Sequence, residues 1–488
     1  MATGDLRMGW ASVDITPAEP VQLAGQFHVR ISEGVRDPVT ATVLALSTAS
    51  TDEAVVMVSC DLVAISDGLR DAVRARVGDT IQGLAPWQIV LNATHSHTAP
   101  EVRVPGDYVL LGGGISSEGI CVDLPGIEPA VYVAFAAEQI ADAVRRAWAG
   151  RAPGAIGYGL GHAVIGRNRR SCFLGGESRM YGDTAADDFS HIEGGEDHGV
   201  NLLGTWDAGG KLTGLVVNVA CPSQVSENEY EISADYWHDV RVELRRRHGE
   251  DLFVLPQCSV AGDQSPHIQW GRAAEERMQA LAGRTLRQEL AIRIADAVSA
   301  TLPLMAGDRQ SDLELVHGVE TVELSRRRLS EADVAEALAE RDALQAEYAV
   351  IQQEIEAHPE RKEEPRWHIQ LTHCYRRMRW CEGVALRFEQ EKTSATLPVE
   401  VHVLRLGGVA LATNPFELYL DFGIRIKARS PAIQTFLVQL AGAGTYVPTE
   451  RAVAGKSYGA IPASTPVGPE GGRELADATV RMLRAIWI

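Results

Sequence analysis

Apolar, β-branched runs recur along the chain. They are ATVLALSTA (41–49), AVVMVSCDLVAI (54–65), WQIVLNAT (87–94), LTGLVVNVA (212–220), LFVLPQ (252–257), VEVHVLRLGGVALAT (399–413) and TFLVQLAG (435–442). Their composition predicts strands, several of them buried on both faces. Between them lie segments with helical spacing, such as PAVYVAFAAEQIADAVRRAWAG (129–150) and AEERMQALAGRTLRQELAIRIADAVSATL (274–302). The mixture predicts an α/β, or mixed α+β, chain: a large mixed β-sheet core flanked by helices. No internal repeat or long low-complexity linker interrupts the 488 residues, enough for two or three average domains or one large enzyme domain.

Residues 329–392 differ in character. A helical pattern starting at Leu329-Ser330-Glu331-Ala332-Asp333 is broken by HPERKEEP, and a second helix follows. This predicts a helical hairpin inserted into the main fold, which would cover a site, form a homo-oligomer contact or simply be a packed helical pair.

Five predicted strands end in polar clusters. They are Thr94-His95-Ser96-His97-Thr98, Cys221-Pro222-Ser223-Gln224, Gly262-Asp263-Gln264-Ser265-Pro266-His267, Asn414-Pro415-Phe416-Glu417 and Gly444-Thr445-Tyr446-Val447-Pro448-Thr449. Carboxyl ends of strands share one edge of a sheet, where ligands bind. One composite site is therefore expected. His95 and His97, at i and i+2 on an extended segment, would point to the same side. Two such imidazoles suit a metal, or one ligand beside one catalytic histidine. Glu417 is expected in the first turn of a helix, as a carboxylate ligand or a dipole partner. Asp263 either accepts turn amides or faces a substrate with Ser265. Tyr446 fits a half-buried core position as well as a ligand. Arg167, Arg169 and Arg170 in GRNRRS form either a solvated turn or an anion clamp.

Charge narrows the partners. Lys plus Arg is 46 and Asp plus Glu is 65, giving −19. Nucleic acid and anionic membrane need a basic footprint, so a small-molecule substrate fits better. The N-terminal residues show no secretory pattern, and no window of about 18 uninterrupted apolar residues predicts a transmembrane segment. Seven cysteines with no CxxC pair predict free thiols and a cytoplasmic setting.

Taken together, VDITP (13–17), THSHTAP (94–100), GRNRRS (166–171), ACPSQ…ISADYWHDV (220–240), AGDQSPH (261–267), NPFELYLDFG (414–423) and GTYVPTERAV…SYGA (444–460) resemble the catalytic domain of the neutral/alkaline ceramidase superfamily, in the expected order. The resemblance runs from about residue 10 to 465, outside the hairpin, and no room remains for that family's C-terminal immunoglobulin-like domain. It implies a zinc-dependent amidohydrolase with one Zn2+ held by His95, Glu417, Tyr446 and the residue at 221. The family has histidine there and this chain has Cys221, so either the thiolate ligates or His97, His238 or His267 completes the sphere. The resemblance further places His97 at the scissile group, Arg169 near the substrate carbonyl and Ser265 as a nucleophile or substrate contact. His267 is a second proton donor. The expected reaction is hydrolysis of an amide (C–N) bond in a water-soluble N-acyl substrate by metal-activated water. Two other readings remain open on the residues alone: a carbohydrate hydrolase or lyase using Asp263 and Glu417 as acid and base, and an inactive ligand-binding protein.

Overall fold

The runs assemble into two sheets packed face to face. The computed structural model describes residues 4–48, 53–78, 80–104 and 121–487. The larger, nine-stranded sheet is ordered Phe253–Cys258, Leu212–Val219, Gly199–Asp207, Ala152–His162, Gly4–Asp14, Thr40–Thr48, Ala54–Cys60 and Ile89–Ala93; Asp312–Leu313 pairs with Gly4–Asp14 off that order. The smaller, four-stranded sheet is ordered Leu315–Ser325, Thr396–Leu406, Val409–Thr413 and Gln434–Val438. Leu44, Leu46, Met57, Leu203 and Leu255 of the first interdigitate with Leu404, Leu411, Phe436 and Val438 of the second. Strands such as Ala54–Cys60 are buried on both faces, which is why they read as continuous apolar runs.

Helices close the outer faces. Asp67–Gly78 and Pro129–Ala149 cover one half of the large sheet, Tyr236–His248 and Leu286–Gly307 the other. Leu420–Arg429 and Pro469–Ala485 cover the small sheet. The result is a four-layer α/β/β/α stack. Leu286–Gly307 is long and apolar enough to cross a membrane on length and composition alone. Here it packs onto Ala152–His162, where Gly157 and Gly159 let Thr301 and Met305 approach the strand backbone.

Within the two large sheets, three strand pairs are parallel: Ala54–Cys60 with Ile89–Ala93, Leu212–Val219 with Phe253–Cys258, and Val409–Thr413 with Gln434–Val438. Each is joined through one helix: Asp67–Gly78, Tyr236–His248 and Leu420–Arg429 respectively. A helical crossover returns the chain to the same starting edge, so both strands of a pair finish at the same edge. All five polar clusters leave strands of these pairs, and the sixth strand leads to Asp61 and Val63. The ends of the two sheets are stitched together by Ala93 N to Leu440 O (3.2 Å) and Gln439 N to Cys258 O (3.1 Å).

Residues 329–392 contain two helices, Glu331–Ala357 and Ile369–Gln390, between the paired strands Leu315–Ser325 and Thr396–Leu406. Ser330 caps the first, accepting from Asp333 N. Contacts of Glu340 with Arg377 and of Glu347 with Gln370 show that the helices run antiparallel. The second helix docks on the N-terminal loop: Thr372 Oγ1 accepts from Val29 N (3.1 Å) and Arg376 donates to Gln26 O (3.4 Å). Trp380, Gly383 and Arg387 of the second helix form part of a cavity wall over the strand ends.

Candidate active site

The cavity is also lined by His95, His97, Glu417 and Tyr446. Strand Ile89–Ala93 ends before the histidines, and His95 adopts a left-handed backbone, φ 67°. The expected extended alternation is therefore corrected. The two rings still meet, with centroids 4.7 Å apart and planes near perpendicular. A non-glycine residue in this region is strained and is held by its surroundings. Here Thr94 N bonds Cys60 O and Ser96 N bonds Leu62 O, both at 3.0 Å. Ser96 and Thr98 hydroxyls both donate to Ser233 O (2.7 and 3.1 Å), so these small polar residues fix the loop and leave the cavity to the imidazoles.

His95 Nδ1 donates to Val63 O at 2.6 Å, which leaves its lone pair on Nε2. That atom is buried, lacks a hydrogen bond and lies 3.2 Å from Glu417 Oε2. Two acceptors face each other without a proton aimed between them. Ligands about 2.0–2.1 Å from a tetrahedral cation sit about 3.3 Å apart, so this spacing fits two donors around one ion as well as a direct histidine–carboxylate pair. Glu417 is not in a helix, contrary to expectation: Glu417–Leu418 pairs in parallel with Tyr446–Val447, and the helix starts at Leu420. Gly262 lies against this ladder, and a Cβ there would meet Glu417 O at 2.3 Å.

Burial opposes charge on Glu417, but His95 in its protonated form, with Arg169, outweighs it and holds the carboxyl below its ordinary range. Burial, with Glu417 and Tyr458, pushes the Tyr446 phenol well above its usual value, against the pull of Arg169. Arg169 Nη2 donates to Gly262 O (2.9 Å) and Tyr446 OH (3.1 Å), and lies 4.0 Å from Glu417. Its other arm reaches Tyr181 OH at 3.4 Å. His97 is driven well below the ordinary histidine value, first by burial, then by His95, Arg30, Arg169 and Arg103, so it is neutral. Its Nε2 lies 2.8 Å from Gln224, and its buried Nδ1 has no hydrogen bond and faces Glu227 Oε2 at 3.7 Å. Gly25, φ +94°, makes room for this ring: a Cβ there would meet His97 Cγ at 2.5 Å.

His95, Glu417 and Tyr446 thus converge as expected. Cys221 does not join them. Its sulfur contacts Pro222 O, its carbonyl accepts from Tyr236 OH (2.9 Å), and it is absent from the cavity wall. The cause is packing: Cys221 is fully buried among Val219, Tyr236 and Trp237. His238, on the helix Tyr236–His248, is also absent from the cavity wall. Among the described residues, no group of three or more His, Cys, Asp or Glu side chains forms a metal site. The Tyr446 phenol offers a further oxygen donor on the same cavity wall.

The Asp263 carboxylate accepts from Asn168 Nδ2 (2.9 Å) and Leu420 N (3.0 Å), and its carbonyl accepts from Arg169 N (2.9 Å). It ties the arginine segment to the Glu417 segment and is absent from the cavity wall. The Asp263–Glu417 pair needed for carbohydrate chemistry is therefore not assembled in the cavity. Ser265 Oγ accepts from Tyr181 OH and His267 N, each at 3.1 Å, and among the described residues no base contacts it. His267 Nε2 pairs with Glu227 Oε1 at 3.0 Å; with Tyr181 and Glu227 it lines a second cavity. The two cavities share a wall made by His97–Glu227 on one side and Tyr446–Arg169–Tyr181 on the other. Arg167 and Arg170 serve the frame, pairing with Glu275 and Glu193.

Residues not singled out in sequence complete the site: Glu227, Tyr181, Tyr458, Phe27, Trp380 and Arg387. Nothing in their local spacing marks them, because each arrives on a loop or on the hairpin. Gln224 stood inside a polar cluster and was legible to that extent.

No protein-family model matches the chain, and no curated protein sequence matches it significantly. Solved structures do. The neutral ceramidase from Pseudomonas aeruginosa superposes with a TM-score of 0.66 at 17% identity, over 99% of this chain and 74% of that one. A ceramidase complexed with C2 gives 0.65 at 16% identity, over 99% and 75%. With its mixed sheet, flanking helices and strand-end site, the chain has the fold of neutral ceramidase.

Proposed function

We propose that the protein is a zinc-dependent hydrolase that cleaves the amide bond of a water-soluble N-acyl compound. The observation that carries this reading is the unsatisfied, buried His95 Nε2 lying 3.2 Å from Glu417 Oε2. His95, Glu417 and Tyr446 would hold the ion, three protein ligands being the usual number in a catalytic site with an open position. Bound there, zinc supplies Lewis acidity and activates water.

The chain's own groups supply the rest. Arg169 is kept fully charged, since Tyr446, Tyr181 and Glu417 outweigh its burial. It is absent from the cavity wall and would act on the oxyanion that develops on the carbonyl through the Tyr446 hydroxyl, to which it donates at 3.1 Å. Gln224 Nε2 donates to His97 Nε2 (2.8 Å), which puts the ring proton of neutral His97 on Nδ1. His97 Nδ1–H then gives its proton to the leaving nitrogen, and the proton released by the attacking water replaces it. Glu227 Oε2, 3.7 Å away, orients that N–H. Ser265 has donors around it but no base, which favours direct attack by water over a seryl acyl-enzyme.

The test is amine release from a panel of N-acyl compounds by the zinc-loaded protein. Turnover that falls about 10²–10⁴-fold in His97→Ala is expected. No turnover of any member contradicts the proposal.

A further inference from the structure

Beyond the reacting cluster, the first cavity changes character. Phe27 from the N-terminal loop, Trp380 from the hairpin and Tyr458 form an aromatic stretch, with ring centroids 5.1, 5.8 and 6.0 Å apart. The wall then includes Arg387, on the hairpin's second helix beside Ala463. Arg387 is only 5% exposed. Its Nε donates to Gly383 O (3.1 Å) and Nη2 to Ala463 O (3.4 Å), while Nη1 is buried without any partner.

Among the described residues, no carboxylate neutralises this guanidinium. Burial, then Arg327 and Arg326, push its pKa down to about 10, and no acid is among the groups acting on it. Arg327 is itself spent on Ala460 O and Thr465 Oγ1. Arg103, the other arginine on this wall, differs: its Nε and Nη2 hold Glu101 at 2.7 and 2.6 Å. A buried, unpaired charge is costly. In a chain with 65 acidic residues against 46 basic ones, a protein carboxylate is easy to supply. Its absence here leaves a guanidinium fork suited to a carboxylate that arrives with the ligand.

We propose that Arg387 binds an anionic group, a carboxylate, on the part of the substrate remote from the scissile bond, with the Phe27–Trp380–Tyr458 stretch holding the intervening chain. This deepens, and rests on, the amide-hydrolase reading. It assigns the hairpin a part in specificity.

The test is binding by calorimetry in a His97→Ala background, so that hydrolysis does not consume the ligand. Two matched pairs are compared: adipoyl monoanilide with hexanoyl anilide, and N-hexanoylglycine with N-hexanoylglycinamide. The first pair carries its carboxylate on the acyl side, the second on the amine side. In at least one pair the charged member binds about tenfold or more tightly. Arg387→Gln brings that pair to within about twofold and leaves the neutral member unchanged. Equal binding in both pairs, a preference that survives Arg387→Gln, or no binding at all overturns the proposal. If Arg387→Gln does not fold, Arg387→Lys is read instead: a loss of about threefold or more in preference supports it and an unchanged preference overturns it. Turnover is measured separately with His97 intact. Anion preference without hydrolysis sinks the hydrolase reading alone, and hydrolysis without preference sinks only the Arg387 assignment.

Discussion

Glu417 and Tyr446 are register partners in a two-residue parallel ladder. Partners on adjacent strands lie about 4.8 Å apart and project to the same side. Backbone pairing alone therefore aims a carboxylate and a phenol at His95. Because the backbone sets this geometry, Glu417→Gln should fold normally while removing the anion that His95 and Arg169 hold charged. Turnover is expected to fall by about 10²-fold or more, with an unchanged far-UV circular dichroism spectrum. Near-native activity would show that the carboxylate does no chemistry.

Gly25→Ala tests the placing of His97. The new Cβ would lie 2.5 Å from His97 Cγ and 2.6 Å from Nδ1, at a backbone φ of +94° that side chains rarely adopt. The ring must move, at a cost of about 1–3 kcal/mol. The expected outcome is a modest fall in melting temperature and a kcat loss of about tenfold or more. Unaltered kcat in a folded variant would remove His97 from the proton path.

Ser265→Ala separates water attack from a seryl intermediate. Ser265 Oγ contacts only Tyr181 and the His267 amide among the described hydrogen bonds. Its loss should lower kcat by less than about tenfold, whereas removing a true nucleophile costs on the order of 10⁴–10⁶. Single-turnover kinetics without an acyl burst would agree; a burst would not.

Acid should unfold the protein through a buried pair far from the site. His317 Nε2 lies 3.0 Å from His402 Nδ1, and His402 Nε2 lies 2.9 Å from Glu400, which also pairs with Arg74. Burial, then His402, pushes His317 down to about 3, and burial also lowers His402. His402 and Arg74 hold Glu400 below its usual range despite burial. In each case the unfolded chain takes up protons more readily, so stability rises with pH through this window. It is complete above the ordinary histidine pKa of about 6.5 and is lost as pH falls towards the folded value. Urea midpoints measured from pH 7 to pH 4 should drop steadily, and His317→Phe should flatten the slope. A midpoint insensitive to pH would refute the linkage.

The strands were legible because burial on both faces makes them continuous apolar runs, as in Ala54–Cys60 and Thr40–Thr48. The strand-end clusters were legible because parallel pairing gathers polar loops at one edge. Two local geometries were not. His95 sits in a left-handed turn and Glu417 on a short strand, and both conformations are imposed by tertiary contacts with Val63 and Tyr446. Cys221 occupies a promising position, but its side chain packs towards Tyr236 and Trp237, a direction that residue type does not encode. Phe27, Trp380 and Arg387 come from the N-terminal loop and the hairpin, so only their assembly reveals them.

The central claim is one zinc ion shared by His95, Glu417 and Tyr446, and elemental analysis of purified protein tests it most directly. The account predicts about one zinc per chain after loading, with occupancy lost in His95→Ala and retained in Cys221→Ser. A protein that binds no zinc yet hydrolyses N-acyl compounds, or one whose zinc survives His95→Ala undiminished, would contradict it.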